Sequence, residues 1–137
     1  MTQEFEIRAS FTIDDWKEEP VLNEDGIRIY RTHVGKRFRG NLDGQSVGDM
    51  IMTHVGGQPT AYCGFERITG SLNGRLGSFL FHHNATAGLA GGLSLTVVPG
   101  SGTDELGGLT GSARIEVAGR AGDVSAPHTL VFQYTLP

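Results

Sequence analysis

Glu4-Phe5-Glu6-Ile7-Arg8-Ala9-Ser10-Phe11-Thr12-Ile13 is the stretch that decides the fold class of this chain. Phe5, Ile7, Ala9, Phe11 and Ile13 fall on one side of an extended backbone. Glu4, Glu6, Arg8, Ser10 and Thr12 fall on the other. A period of two is the pattern of a β-strand with one face against a core. This first strand is read from Phe5 to Trp16, and similar segments recur along the chain. Turn chemistry at Asn23-Glu24-Asp25-Gly26 leads to a strand from Ile27 to Phe38. Asn41-Leu42-Asp43-Gly44 leads to Ser46–Val55, and Gly56-Gly57-Gln58-Pro59 to Thr60–Leu72. Asn73-Gly74, a type I′ hairpin signal, precedes Leu76–Thr86. Leu89–Val98, Ser112–Ala118 and Pro127–Leu136 bring the strands to eight. A loop rich in Gly, Ser and Thr, from Pro99 to Gly111, separates the sixth from the seventh.

No long window carries a helical period, although Asp14 to Pro20 and Asp104 to Leu109 each suit a single helical turn. Eight strands with short links predict an all-β fold in one domain over residues 1–137. The expected form is an eight-stranded antiparallel up-and-down barrel, because closure removes the exposed edges. A two-sheet sandwich is the competing architecture. Glycine supports either: its count of 21 in 137 residues is about twice the usual share and disfavours helices. Gly35, Gly48, Gly64 and Gly77 lie inside the strands, where they suit the coiling of a small barrel.

Composition narrows the function. A net charge of −4 argues against a general partner for nucleic acid or anionic membrane. A single cysteine, Cys63, excludes an intrachain disulfide and a multi-cysteine zinc site. No apolar run reaches the ~20 residues of a spanning helix. The alternating, charged beginning is unlike a signal peptide, so a cytoplasmic location is expected.

From Met50 to Thr103 the only charged residues are Glu66, Arg67 and Arg75. Glu66 shares strand parity with Tyr62, Gly64 and Ile68, opposite Ala61, Cys63, Phe65 and Arg67. Two assignments follow. With Phe65 inward, Glu66 is an exposed carboxylate in a cross-strand pair with an arginine. With Glu66 inward beside Tyr62, desolvation raises its pKa and makes it a candidate general acid or base. His82 and His83 project to opposite faces, and His83 ends the stripe Phe79, Phe81, His83 that points to the interior. His33, His54 and His128 sit on other strands, and no histidine spacing argues for a metal.

Other patterns read more plainly. Gly44-Gln45-Ser46-Val47-Gly48 matches GxSxG, but lies between strands without the strand-turn-helix setting of a nucleophile elbow. Arg28, Arg31, Lys36, Arg37 and Arg39 form a basic run, read as a solvated outer face or, failing that, an oligomer contact or anion-binding rim. Trp16, the only tryptophan, suits plugging a barrel end or stacking on a ligand.

Several segments together resemble the bacterial family called domain of unknown function 3224, whose members adopt a barrel like that of allene oxide cyclase. They are Phe11-Thr12-Ile13-Asp14-Asp15-Trp16, Gly64-Phe65-Glu66-Arg67-Ile68-Thr69-Gly70, and Gly77-Ser78-Phe79 running to His83. The longest is Val97-Val98-Pro99-Gly100-Ser101-Gly102-Thr103-Asp104-Glu105-Leu106-Gly107-Gly108-Leu109-Thr110-Gly111. The resemblance implies an allene-oxide-cyclase-like barrel with Glu66 and His83 facing inward. Two places depart from the family pattern. Asn84-Ala85 follows His83 instead of Ser-Gly, and the final strand carries Val131 and Gln133 without the acidic residue common there.

The expected function is a small-molecule isomerase or cyclase acting on a largely apolar substrate in the barrel cavity, without cofactor or metal. Glu66 is the expected acid/base, His83 a second proton-handling group and Tyr62 a donor. Trp16, Phe79, Phe81 and Tyr134 are expected to shape the ligand site, with the Pro99–Gly111 loop over one mouth. The alternative is a lipocalin-like barrel that binds hydrophobic metabolites without chemistry, or a filled barrel acting through its surface. A homodimer or higher homo-oligomer fits each reading, since apolar positions near Ile51 and Phe65 fall on both strand faces.

Overall fold

The computed structural model describes residues 2–88, 92–117 and 128–137. Its eight strands are β1 (Gln3–Glu24), β2 (Ile27–Gly40), β3 (Leu42–Val55), β4 (Gln58–Leu72), β5 (Arg75–Thr86), β6 (Leu93–Val97), β7 (Thr110–Val117) and β8 (His128–Leu136). Each pairs antiparallel with the next, and β8 pairs with β1, so the sheet closes into a barrel. The all-β, eight-stranded antiparallel barrel expected from the alternation is the fold.

The turns explain the hairpins. Asn73 and Gly74 both have positive φ, at 49° and 83°, the type I′ geometry whose twist matches the flanking strands. The strand boundaries differ from the sequence reading most at β1 and β3. β1 continues through Asp14–Pro20 to Glu24 without a helical turn, because every stretch of it finds a partner on β2, down to Glu24 opposite Ile27. β3 starts at Leu42 instead of Ser46, because the chain reverses tightly at Gly40 and Asn41, with Gly40 at a φ of 115°. The expected beginning of the sixth strand at Leu89 and the ends at Ala118 and Pro127 lie outside the described residues.

Connectivity gives the barrel two unlike ends. The β2–β3 and β4–β5 turns and the β6–β7 connection lie at one end, and the β1–β2 and β3–β4 turns at the other. Near the first end an aromatic and aliphatic core is packed tight. Phe132 stacks on Phe79 at 5.7 Å and meets Phe81 edge-on at 5.1 Å. The β6–β7 connection contributes Leu106, on a short 3-10 turn (Asp104–Leu106), and Leu109, both buried in that core. It also extends the ladder beside β5: the amides of Val98 and Thr103 donate to the carbonyls of Leu80 and Ser78. The glycine-rich loop is therefore a packed end cap.

Three register shifts lie toward the other end. Ile13 pairs with Lys36 but Asp15 with Gly35, so Asp14 is an extra residue. The insertion shifts the parity of β1 and turns Trp16 inward, opposite Val34. A second shift falls between Pro20 and Leu22 on β1, and a third between Thr53 and His54, where Thr60 of β4 is the extra residue.

Candidate functional site

Cross-strand register arranges the inward side chains in rows around β2 to β5. One row runs Thr32, Met50, Gly64, His83. The next runs Val34, Gly48, Glu66, Phe81, and the third Lys36, Ser46, Ile68, Phe79. Glycine stands where a side chain would otherwise fill the interior, at Gly48 and Gly64 beside Glu66 and His83. The close approach of β3 and β4 enforces both: a Cβ on Gly64 would sit 2.6 Å from the Met50 sulfur, and one on Gly48 3.0 Å from the Phe65 carbonyl oxygen. The glycines read as aids to coiling thus also leave space around the polar groups.

That space is a cavity of about 320 Å³. Trp16, Lys36, Met50, Tyr62, Glu66 and His83 are among the side chains lining it, with Phe11, Ile13 and Ile115 supplying apolar wall. The volume is at the lower end of the about 300–1,000 Å³ typical of small-molecule sites.

Glu66 anchors a connected polar cluster. Its Oε1 accepts from His83 Nε2 at 2.7 Å and from Lys36 Nζ at 3.3 Å. Its Oε2 accepts from the Ser46 hydroxyl at 2.5 Å. On the far side of the imidazole, His83 Nδ1 is 3.1 Å from the Tyr62 hydroxyl. The Lys36 ammonium also lies over the Phe11 ring, 4.8 Å from its centroid. Glu66 is 2% exposed, so isolated ionisation there would be costly. Among the described residues, however, no buried side-chain nitrogen or oxygen lacks a partner.

The electrostatics run opposite to the sequence expectation for Glu66. Burial does push its carboxyl upward. The Lys36 charge, the His83 imidazole and the Ser46 hydroxyl outweigh that and hold it at about 2. Glu66 is an ionised, fully hydrogen-bonded anchor and not a carboxyl poised near neutrality. Tyr62 moves the other way, pushed up to about 12 by burial and by the Glu66 charge. A carboxylate can only accept, so the Nε2–H of His83 is directed at Glu66 and Nδ1 faces the Tyr62 hydroxyl.

Of the residues singled out in the sequence, Glu66, His83, Tyr62 and Trp16 meet at this cavity. Phe79, Phe81 and Tyr134 do not reach it. They belong to the core below, and Tyr134 stacks on Phe5 at 5.1 Å while its hydroxyl accepts from Asn73 Nδ2 at 2.7 Å. His82 points outward and stacks on the exposed ring of Phe65 at 5.0 Å. The Pro99–Gly111 loop closes the opposite end from the cavity, because Leu106 and Leu109 bury their side chains in the core. Among the described residues no group of three or more His, Cys, Asp or Glu side chains converges as metal ligands would.

Two members of the cluster were missed. Lys36 was grouped with an outer basic face, yet it alternates with Val34 and Phe38, and that shared parity was the available signal. Ser46 was passed over as the middle of a chance GxSxG. It lies within β3, without any elbow, and points inward by the parity of Leu42 and Met50.

A family model described as protein of unknown function (DUF3224) matches residues 7–134. A solved structure from the same family, a protein of unknown function from Shewanella oneidensis MR-1, superimposes with a TM-score of 0.77 at 28% identity. That match covers 96% of this chain and 97% of the other. No curated protein matches the chain.

Proposed function

The chain belongs to the DUF3224 family of unknown function, and from its buried polar cluster we propose that it isomerises or cyclises a small, largely apolar molecule in the barrel cavity by moving one proton. The observation that carries this reading is the chain of contacts from Glu66 through His83 to Tyr62, set in an apolar cavity beside the Lys36 ammonium. A buried ion cluster contributes little net stability compared with a well-packed apolar core. A chemical use accounts for its presence.

The chemistry follows from the tautomer. Substrate binds with an acidic C–H, next to a carbonyl, against the Tyr62 oxygen. As that proton moves to the Tyr62 oxygen, the Tyr62 proton moves to His83 Nδ1. The imidazolium formed is stabilised by Glu66 at 2.7 Å, and the Lys36 charge stabilises the enolate. Return of one proton to a different atom of the substrate completes the isomerisation or lets a ring close, and restores the protein. Glu66 is here a positioning residue, and Tyr62 with His83 handles the proton. The apolar wall holds the reactive conformer. The barrel likeness to allene oxide cyclase that the family resemblance implies supports this class of reaction by analogy only.

A panel of uncharged apolar ketones in deuterium oxide tests the reading. Deuterium should enter at the carbon next to the carbonyl faster than in buffer alone, and Tyr62→Phe should bring the rate back to background. Equal exchange with and without protein overturns it. A non-catalytic lipocalin-like barrel for hydrophobic metabolites is the second reading, favoured by the internal satisfaction of every buried polar side-chain atom among the described residues. Ketone binding without exchange would select it.

A further inference from the structure

The row of inward residues above the polar cluster is Tyr30, Met52, Tyr62, Ala85, each opposite the next across β2 to β5. A second chamber of about 360 Å³ lies along this row, walled also by His54 and Thr60. Met52 and Tyr62 line both chambers, so the two spaces adjoin with these side chains between them. Each alone is at the lower limit for a small-molecule site, and joined they fall well inside the range.

The second chamber exists for structural reasons. β2, β3 and β4 run past the level of His83 before they turn, and a bulge interrupts the β3–β4 register at Thr53/His54. Tyr30 is held at the chamber wall by His54, whose Nε2 is 2.7 Å from the Tyr30 hydroxyl. The guanidinium of Arg28 stacks on the Tyr30 ring, 4.4 Å from its centroid, and is committed to Glu18 at 2.6 Å. Among the described residues lining the second chamber there is no carboxylate, ammonium or guanidinium. In the first chamber the charges of Lys36 and Glu66 compensate each other at 3.3 Å.

We infer that the ligand is an elongated, uncharged, mostly apolar molecule that occupies both chambers and passes Tyr62 where they join. This rests on the proposed function for the position of its acidic carbon, next to the carbonyl, at the Tyr62 oxygen. The first chamber takes the apolar segment on one side of the carbonyl, and the second takes the chain on the other. Among the described residues the carboxylate and ammonium that line these spaces are already paired with each other, so an ionic head group finds no free counter-charge of those kinds. Length is therefore the property that the second chamber selects.

Trp16, the only tryptophan and a wall of the first chamber, reports binding by its fluorescence. The probes are straight-chain methyl ketones from butanone to long-chain homologues. In the native protein affinity should rise by about fourfold per added methylene, the transfer value for apolar burial, until both chambers are filled. Ala85→Phe, which fills the second chamber opposite Tyr62, should halt that rise at a shorter chain. It should weaken the longest ketones at least tenfold. Thr60→Phe, nearer the rim, provides the same reading if Ala85→Phe does not fold. A rise that stops at the same length in native and variant protein overturns the inference. Length-dependent binding without deuterium exchange overturns the proton transfer and leaves the two-chamber ligand standing. Exchange with length-independent binding does the reverse. Absence of quenching by every ketone overturns both.

Discussion

His83 Nε2 lies 2.7 Å from Oε1 of Glu66, although the two residues are not register partners. Across β4 and β5, His83 faces Gly64 and Glu66 faces Phe81. The bare backbone of Gly64 leaves the imidazole room to lean diagonally onto the carboxylate. That contact fixes the ring's tautomer and points its other nitrogen at Tyr62. The consequences of this one pairing can be measured.

Glu66→Gln keeps the shape of the side chain but leaves Lys36 10% exposed with no counter-charge. Removing one partner of a buried ion pair costs about 3–5 kcal/mol. Urea denaturation at neutral pH should show a loss near the lower figure, because Gln still offers an oxygen to the donors. Adding Lys36→Met to Glu66→Gln should recover part of it, since the stranded charge is then gone. A double variant less stable than the single one would contradict the ion-pair account.

Acid should erode the same contribution. The Glu66 carboxyl is held at about 2 in the folded protein against an ordinary 4.5. A depressed folded value means that the stability is fully present above the ordinary pKa. It is lost as pH falls through that value toward the folded one. A shift of this size corresponds to about 3 kcal/mol. The stability difference between the native protein and Glu66→Gln should therefore shrink between about pH 4.5 and pH 2. A difference that is flat across this window would refute the depressed carboxyl.

Lys36→Met removes the largest influence lowering the Glu66 pKa and leaves burial to act. The carboxyl should then titrate at a higher pH. Difference infrared spectroscopy at mildly acidic pH should show a protonated carboxyl band in Lys36→Met that is absent from the native protein. Identical spectra would show that Lys36 does not govern the site.

Tyr62→Phe removes one hydroxyl from a hydrogen bond with a neutral imidazole. Its effect on stability should be modest, about 1 kcal/mol in thermal or urea denaturation. Ketone exchange should fall to background while quenching of Trp16 persists. Retained exchange would move the proton-handling role away from Tyr62.

Gly70→Ala tests the close approach of β3 and β4 on which the cavity rests. A Cβ there would press on the backbone of Gly44, 2.7 Å from its Cα, and on the carbonyl of Asp43. Overpacking of this kind costs about 1–3 kcal/mol. Gly107→Ala is the control: its added Cβ meets only the Asp104 carbonyl oxygen, at 3.5 Å. Gly70→Ala should lower the melting temperature and Gly107→Ala should not.

Much of the barrel was legible in the sequence because strand and turn signals are local. Alternation from Phe5 to Ile13 and the positive-φ preference of Asn73-Gly74 depend on neighbouring residues alone. The glycine-rich loop was legible as the cover of one barrel end, but which end was not, since its two leucines reveal their destination only against Phe79 and Phe132. Trp16 was legible as an end residue, but the bulge at Asp14 that turns it inward has no marker in the alternation.

The sequence by itself determined the strands, the hairpins and the candidates Glu66, His83 and Tyr62. Only the tertiary structure decided what those candidates are chemically. Period-two alternation allows two faces for each strand and says nothing of which strands meet. Folding brings Lys36, Ser46 and His83, which lie 30, 20 and 17 residues from Glu66 along the chain, within hydrogen-bonding distance of one carboxylate. Burial alone would have raised the pKa of Glu66. The cation and donors gathered around it lower it instead, because a charge responds to distance in space and not to separation in sequence.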